Sequence, residues 1–273
     1  MSNFQRRALT ATIFTAVMLA GLFFNKWSFF ILFGVIATGC LWEFLGLTLT
    51  DEQHKKQRQI LGTVLGVAAY VVAFVNFENF ASLLINMNIC LVLALSILIF
   101  QMFLPTEKPF EFPAFLTLGF VYLIAPFSFV CQVLGHWKLD DFTPNIVAGI
   151  LFLTWINDVG AYLIGSTMGK TPLFPRISPK KTWEGTVGGA VLCIAAGFVI
   201  FKIFGILTLV DWFVIGGIVA VFGTLGDLVE SMLKRSVGVK DSGDFMPGHG
   251  GFLDRFDAFI FEIPFVFLYL LLK

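Results

Sequence analysis

The chain has 273 residues, 58% of them hydrophobic and 13% charged, with mean hydropathy +0.88 and zero formal net charge. Water-soluble domains carry about a quarter charged residues, so this composition excludes one and places the chain in a bilayer. The neutral net charge excludes little, because the sidedness of a membrane protein is written in how its basic residues divide between loops.

A crossing takes about 20 apolar residues. Nine segments meet that length, at roughly 8–24, 28–49, 60–77, 80–104, 112–135, 145–167, 186–204, 211–228 and 256–272. The fold expected is therefore all-α and polytopic, with residues 1–110 as an N-terminal helical membrane region and 111–273 as the region that carries the site. Arg6-Arg7 before an apolar run imitates a signal peptide, but no small-residue cleavage site follows, so a retained first span is expected. Pro126 and Pro264 predict kinks, each removing an amide donor from its helix. Gly62-x-x-x-Gly66 and Gly185-x-x-x-Gly189 have the spacing for close helix approach. Cys40, Cys90, Cys131 and Cys193 each stand alone in an apolar run and read as buried small hydrophobes.

Nine crossings put successive loops on alternating sides. Fourteen of the 18 Lys and Arg residues then fall on the side of the N-terminus, and four (Lys26, Lys138, Lys202, Lys273) fall on the other. The positive-inside rule places the N-terminus in the cytoplasm.

Charge is concentrated in one stretch, Gly226 to Asp257. Its 32 residues hold ten of the chain's 36 charged side chains, together with His249. Charges next to hydrocarbon are costly and are kept where they bind something ionic. If the run from Asp227 is helical, Asp227, Glu230, Ser231 and Lys234 share one polar face. Beyond a Gly-rich bend, Asp254 and Asp257 are again three apart. Asp158, in the cytoplasmic half of the sixth span, has Thr154, Ala161, Tyr162 and Gly165 beside it as a small or polar stripe suited to a cavity. Carboxylates converging from three spans repel one another, which protonation, lysine partners or a metal must relieve; magnesium binds through a few carboxylates plus substrate phosphate oxygens. The loop from Met168 to Trp183 offers Lys170, Arg176, Lys180 and Lys181, with Ser178-Pro179 as a helix start, and the amides of Gly248, Gly250 and Gly251 offer a nest for anions. Glu43, in the second span, is left without a role. The stretch Gly165 to Thr171 imitates a P-loop but has one residue too few between its glycines and follows a membrane helix instead of a strand. His54, His136 and His249 are too dispersed for a zinc cluster, and no Gly-x-Ser-x-Gly elbow is present.

Ser231-x-x-Lys234-Arg235, Lys240-Asp241-x-Gly243 and Pro247-Gly248-His249-Gly250-Gly251-x-x-Asp254-Arg255-x-Asp257 together resemble the signature of the phosphatidate cytidylyltransferases, also called CDP-diacylglycerol synthases. Asn157-Asp158-x-x-Ala161-Tyr162 and the run Ser178 to Gly185 agree with it, so the resemblance covers about 155 to 257. It implies a homodimeric enzyme of the inner membrane that makes CDP-diacylglycerol from CTP and phosphatidate at its cytoplasmic side, with Mg2+ and a K+ ion beside it and no nucleic-acid partner. Carried onto this chain, the resemblance makes Asp227 and Asp254 the first metal ligands and Asp158 and Asp257 further ones, with Asp241 a weaker candidate. Lys234, Arg235 and Arg255 join them as catalytic residues. Lys180, Lys181, Ser178, Lys170, Lys240, His249, Gly250 and Gly251 are assigned to substrate, and for His249 donating to a phosphate and capping the bend stay equal readings. The nearest rivals are a CTP-dependent polyprenol kinase and an ether-lipid cytidylyltransferase. A cation transporter is a distant third, since no internal repeat is visible and the acids gather on one side.

Overall fold

The computed structural model describes residues 3–75, 88, 91–92, 95–103, 106–136, 144–245 and 250–273. Helices α1 (Asn3–Phe23), α2 (Lys26–Thr48) and α3 (Lys55–Val75) match the first three expected spans. The fourth, 80–104, falls largely outside the described residues. Helix α4 runs Glu111–Gly119, widens to a π turn over Phe120–Ile124 and continues Ala125–His136. The wide turn lies just ahead of Pro126, where the proline ring would otherwise meet a carbonyl of the preceding turn. Helix α5 (Asn145–Met168) is followed by a short antiparallel hairpin, β1 (Pro172–Phe174) and β2 (Ser178–Thr182). Then come α6 (Trp183–Phe204) and α7, which runs Leu209–Ile218, a π turn Val219–Gly223 and Thr224–Ser236. The last helix, α8 (Leu253–Leu271), continues through Pro264 without a break in the helix. Six of the described helices are long and apolar enough to cross a membrane. The protein is thus an all-α polytopic membrane protein with one small hairpin among the described residues.

That hairpin corrects one expectation. Ser178-Pro179 does not start a helix; it lies in β2, because a residue before proline is pushed to extended backbone and proline is tolerated at the edge of a two-stranded ribbon. The helix starts at Trp183, where the Thr182 hydroxyl accepts from the Gly185 amide at 3.2 Å. The Glu184 carboxylate closes the base of the hairpin by accepting from the Lys170 and Thr171 amides at 3.1 Å each.

The chain divides into two compact units, Met1–Phe142 with Ser242–Leu253, and Thr143–Asp241 with Asp254–Lys273. The boundary expected after residue 110 therefore falls within the first unit, where α4 packs on α2 and α3. The core of that unit is aromatic. Phe33 faces Phe127, and Phe44 meets Phe115 and Tyr122 edge-on. Side chains of α2 pack against Gly62 and Gly66, Leu45 at the first and Leu41 at the second. Also in this unit, the Glu43 carboxylate of α2 accepts from Ser242 Oγ at 2.7 Å and from the Phe252 and Leu253 amides at 2.9 Å each. Cys40, Cys131 and Cys193 are buried and in no disulfide, as expected, while Cys90 lies outside the described residues.

In the second unit, α5 and α6 touch backbone to backbone. A Cβ added at Gly185 would come within 2.6 Å of the Ala161 carbonyl oxygen, and one at Gly189 within 2.7 Å of that of Asn157. Helices α7 and α8 run antiparallel. Gly226 faces the Asp257 carbonyl and Ala258, and the rings of Phe222 and Phe265 stack 3.5 Å apart. At the other end of the pair, Tyr269 Oη donates to Asp211 Oδ1 at 2.7 Å.

Candidate active site

The second unit holds a cavity of about 560 Å³. Asn157 and Asp158 of α5, Lys180 and Lys181 of β2, and Thr224 and Asp227 of α7 supply its polar lining. Ala161, Tyr162 and Gly165, three of the four stripe residues beside Asp158, line it too. Thr154, the fourth, instead donates to Glu262 Oε2 of α8 at 2.6 Å.

Each carboxylate is placed by a helix end or a helix face. Asp227 sits in the first turn after the π turn of α7, ion-paired with Lys181 at 2.5 Å and accepting from Ser231 Oγ at 3.3 Å. One turn on, Glu230 is fully buried and ion-paired with Lys234 at 2.5 Å. The same Lys234 ammonium reaches Asp254 Oδ1 of α8 at 2.6 Å, so one lysine bridges acids of two helices. The polar face expected on α7 is therefore present, at the i, i+4 spacing of a helical ladder. Asp257 feels the charges of Asp227, Glu230 and Asp158, and Asp158 those of Asp227, Lys181 and Arg255. Glu262, also fully buried, adds a sixth carboxylate within range of Asp158 and Asp257. Among the described residues, six acids thus share Lys181, Lys234 and Arg255.

That excess suits a cation. In this arrangement, however, no three His, Cys, Asp or Glu side chains among the described residues are grouped closely enough to hold one ion. Asp227 and Asp254 are turned to lysines instead.

The remaining sequence candidates are not all drawn to the cavity. Lys170, Arg235, Lys240, Asp241 and Arg255 are exposed, and the Arg235 guanidinium donates to the Val239 carbonyl at 3.1 Å, closing the end of α7. Ser178 is half-buried in β2 and lies outside the cavity lining. Gly250, which has φ +83°, and Gly251 belong to the first unit. His249 and Gly248 lie outside the described residues.

Sequence reasoning puts Glu230 on the polar face of α7 and Asn157 in the family motif without giving either a site role, and it misses Glu262 altogether. Asn157 is 3% exposed, and its Oδ1 has no hydrogen-bond partner among the described residues although the side chain lines the cavity. Glu262 could have been found from the cost of a lone acid in the middle of an apolar span.

A family model for the cytidylyltransferase family matches residues 5–273. The chain belongs to the cytidylyltransferase family. With one curated relative the similarity runs end to end. The chain is 32% identical over 276 residues to the phosphatidate cytidylyltransferase of Bacillus subtilis (strain 168), covering 100% of this chain and 99% of that one. Against the phosphatidate cytidylyltransferase of Staphylococcus saprophyticus subsp. saprophyticus, identity is 36% over 236 residues, or 74% and 88% of the two chains. With that of Aquifex aeolicus (strain VF5) it rises to 45% over 131 residues, about half of each chain. This cytidylyltransferase is accordingly a nucleotidyl-transferring enzyme built into a membrane.

Proposed function

We propose that the protein transfers CMP from CTP to phosphatidate, giving CDP-diacylglycerol and pyrophosphate, at the cytoplasmic side of the inner membrane. The observation that carries this reading is the cavity itself, where the acids Asp158 and Asp227 face Lys180 and Lys181 beside Ala161, Tyr162 and Gly165 of α5. The names of the full-length relatives support the substrates, and the fourteen-to-four division of basic residues supports the sidedness.

In the reaction, a phosphatidate phosphate oxygen attacks the α-phosphorus of CTP. A P–O bond forms there as the bond to the β-phosphate breaks, and its electron pair leaves with pyrophosphate. The nucleophile is already ionised at neutral pH, so no strong base is required, and catalysis rests on position and charge. Lys180 and Lys181 bring positive charge to the phosphates. The ion pair with Asp227 keeps Lys181 aimed at the cavity before substrate arrives. Lys234, held between Glu230 and Asp254, fixes the first turn of α8 against α7.

An all-oxygen donor set in excess over its lysines fits magnesium. Asp227 and Asp254, with Asp158 and Asp257, are the residues that would hold it. When bound it would offset the triphosphate charge and polarise the reacting phosphate.

The test is incubation of purified protein with phosphatidate, magnesium and each nucleoside triphosphate in turn. CDP-lipid and pyrophosphate formed from CTP alone are expected. Phosphorylated lipid with CDP would replace this reading with the kinase.

A further inference from the structure

We propose that Glu43 is a positioning residue for nucleotidyl transfer, acting through the loop that leads into α8; the inference rests on the reaction proposed above. Glu43 lies in the last third of the membrane helix α2 (Lys26–Thr48), where an unsatisfied carboxylate is costly. It is satisfied there by Ser242 Oγ at 2.7 Å and by the Phe252 and Leu253 amides at 2.9 Å each. Those amides belong to the N-terminus of α8, whose first N–H groups have no partner within the helix. A carboxylate from another helix thus serves as the cap, and the positive end of the helix dipole favours its charge.

Two further observations show that the described residues on either side of the bend fit around this group. Gly243 and Gly251 both face the Glu43 carboxylate, and a Cβ at either would run into it; at Gly243 the added atom would lie 2.5 Å from Oε1 and 2.8 Å from Cδ. One turn earlier on the same face of α2, Gly39 receives the Phe252 ring, which itself stacks on Phe245 at 3.9 Å. Gly39 and Glu43 therefore hold one ring and two adjacent amides of the same short segment. The glycines of the bend, which in sequence resemble a nest for substrate anions, face at Gly251 an anion that the protein supplies itself.

The consequence for chemistry follows from chain connectivity. Leu253, whose amide Glu43 holds, immediately precedes Asp254, and Arg255 and Asp257 follow within the same turn. Releasing the cap frees the start of the helix that carries these side chains, and misplacement of about 1 Å at a reacting centre can cost about 10²-fold in rate.

The experiment compares wild type, Glu43→Ala, Glu43→Gln, Ser242→Ala and the Glu43→Ala/Ser242→Ala double variant in two measurements. One is steady-state turnover of CTP with phosphatidate, corrected for folded protein. The other is amide hydrogen exchange in the segment 242–254. Glu43→Ala should lower kcat by about 10²-fold with the KM for CTP within about threefold, the pattern of an interaction needed in the transition state. It should also speed exchange at Phe252 and Leu253. Glu43→Gln, which keeps one acceptor oxygen, should recover at least half of the logarithmic loss, and Ser242→Ala should add nothing once Glu43 is gone. A kcat within threefold of wild type in folded Glu43→Ala overturns the inference, and so does unchanged exchange. Should wild type fail to turn over these substrates, the proposed reaction falls, while the exchange measurement still decides whether Glu43 holds the loop.

Discussion

The two ends of the α7–α8 pair treat acids in opposite ways. At the end marked by Thr208 and Lys273, one carboxylate, Asp211, is 2% exposed and receives the Thr208 amide at 2.8 Å and hydroxyl at 2.6 Å, the Tyr269 hydroxyl and the Lys273 ammonium. Each oxygen has a donor and the charge is balanced by one lysine. At the other end, among the described residues, six acids outnumber Lys180, Lys181, Lys234 and Arg255, a fully buried Glu262 keeps one oxygen without a partner, and a cavity lies alongside. Balance closes a structure, whereas imbalance at a cavity leaves room for a ligand that completes it. The Asp211 cluster is thus read as a staple and, under the function proposed above, the Asp227 cluster as the working site.

The comparison can be broken most sharply at Asp227 and Asp254. Asp227→Asn or Asp254→Asn should reduce CTP-dependent turnover by about 10³-fold while expression is retained, since stabilising the charge that develops on a reacting phosphate lowers its barrier more than any other single effect. Normal turnover in both variants would discard the metal assignment. Next comes Lys181→Ala, expected to cost about 10²-fold, with a steeper loss at low CTP because the lysine also meets the ground-state phosphates. Gly189→Ala should act on stability instead. It forces α6 away from the Asn157 carbonyl at a cost of about 1–3 kcal/mol, read as a lower Tm in detergent. The smallest effect on catalysis is expected at the balanced end. Asp211→Asn should destabilise by about 1–3 kcal/mol through weakened charge-assisted bonds yet leave kcat per folded molecule unchanged. A fall in kcat there equal to that of Asp227→Asn would erase the distinction between the two ends.

The chain order of apolar runs and the polar spacing in Gly226 to Asp257 are enough to place α2, α3, α5, α6 and α8 and to foresee the face shared by Asp227, Glu230, Ser231 and Lys234. Both are local facts: a helix repeats every 3.6 residues and a bilayer demands a minimum apolar length, so each can be read within a window of the sequence. The β1–β2 hairpin escapes such a reading because Pro179 is compatible with either a helix start or an edge strand, and only the pairing of Pro172 with Thr182 decides between them. Glu43 escapes it for a different reason. Its partners lie about 200 residues away in the chain, and nothing in its own neighbourhood names them.

The sequence by itself therefore determined the membrane character and the family signature, because apolar length and motif order survive without three-dimensional context. Only the tertiary structure decided which acid meets which lysine, that Glu262 joins the cluster and that Glu43 caps α8. Those are distances between segments remote in the chain, set by how glycine-lined helices pack rather than by any local preference.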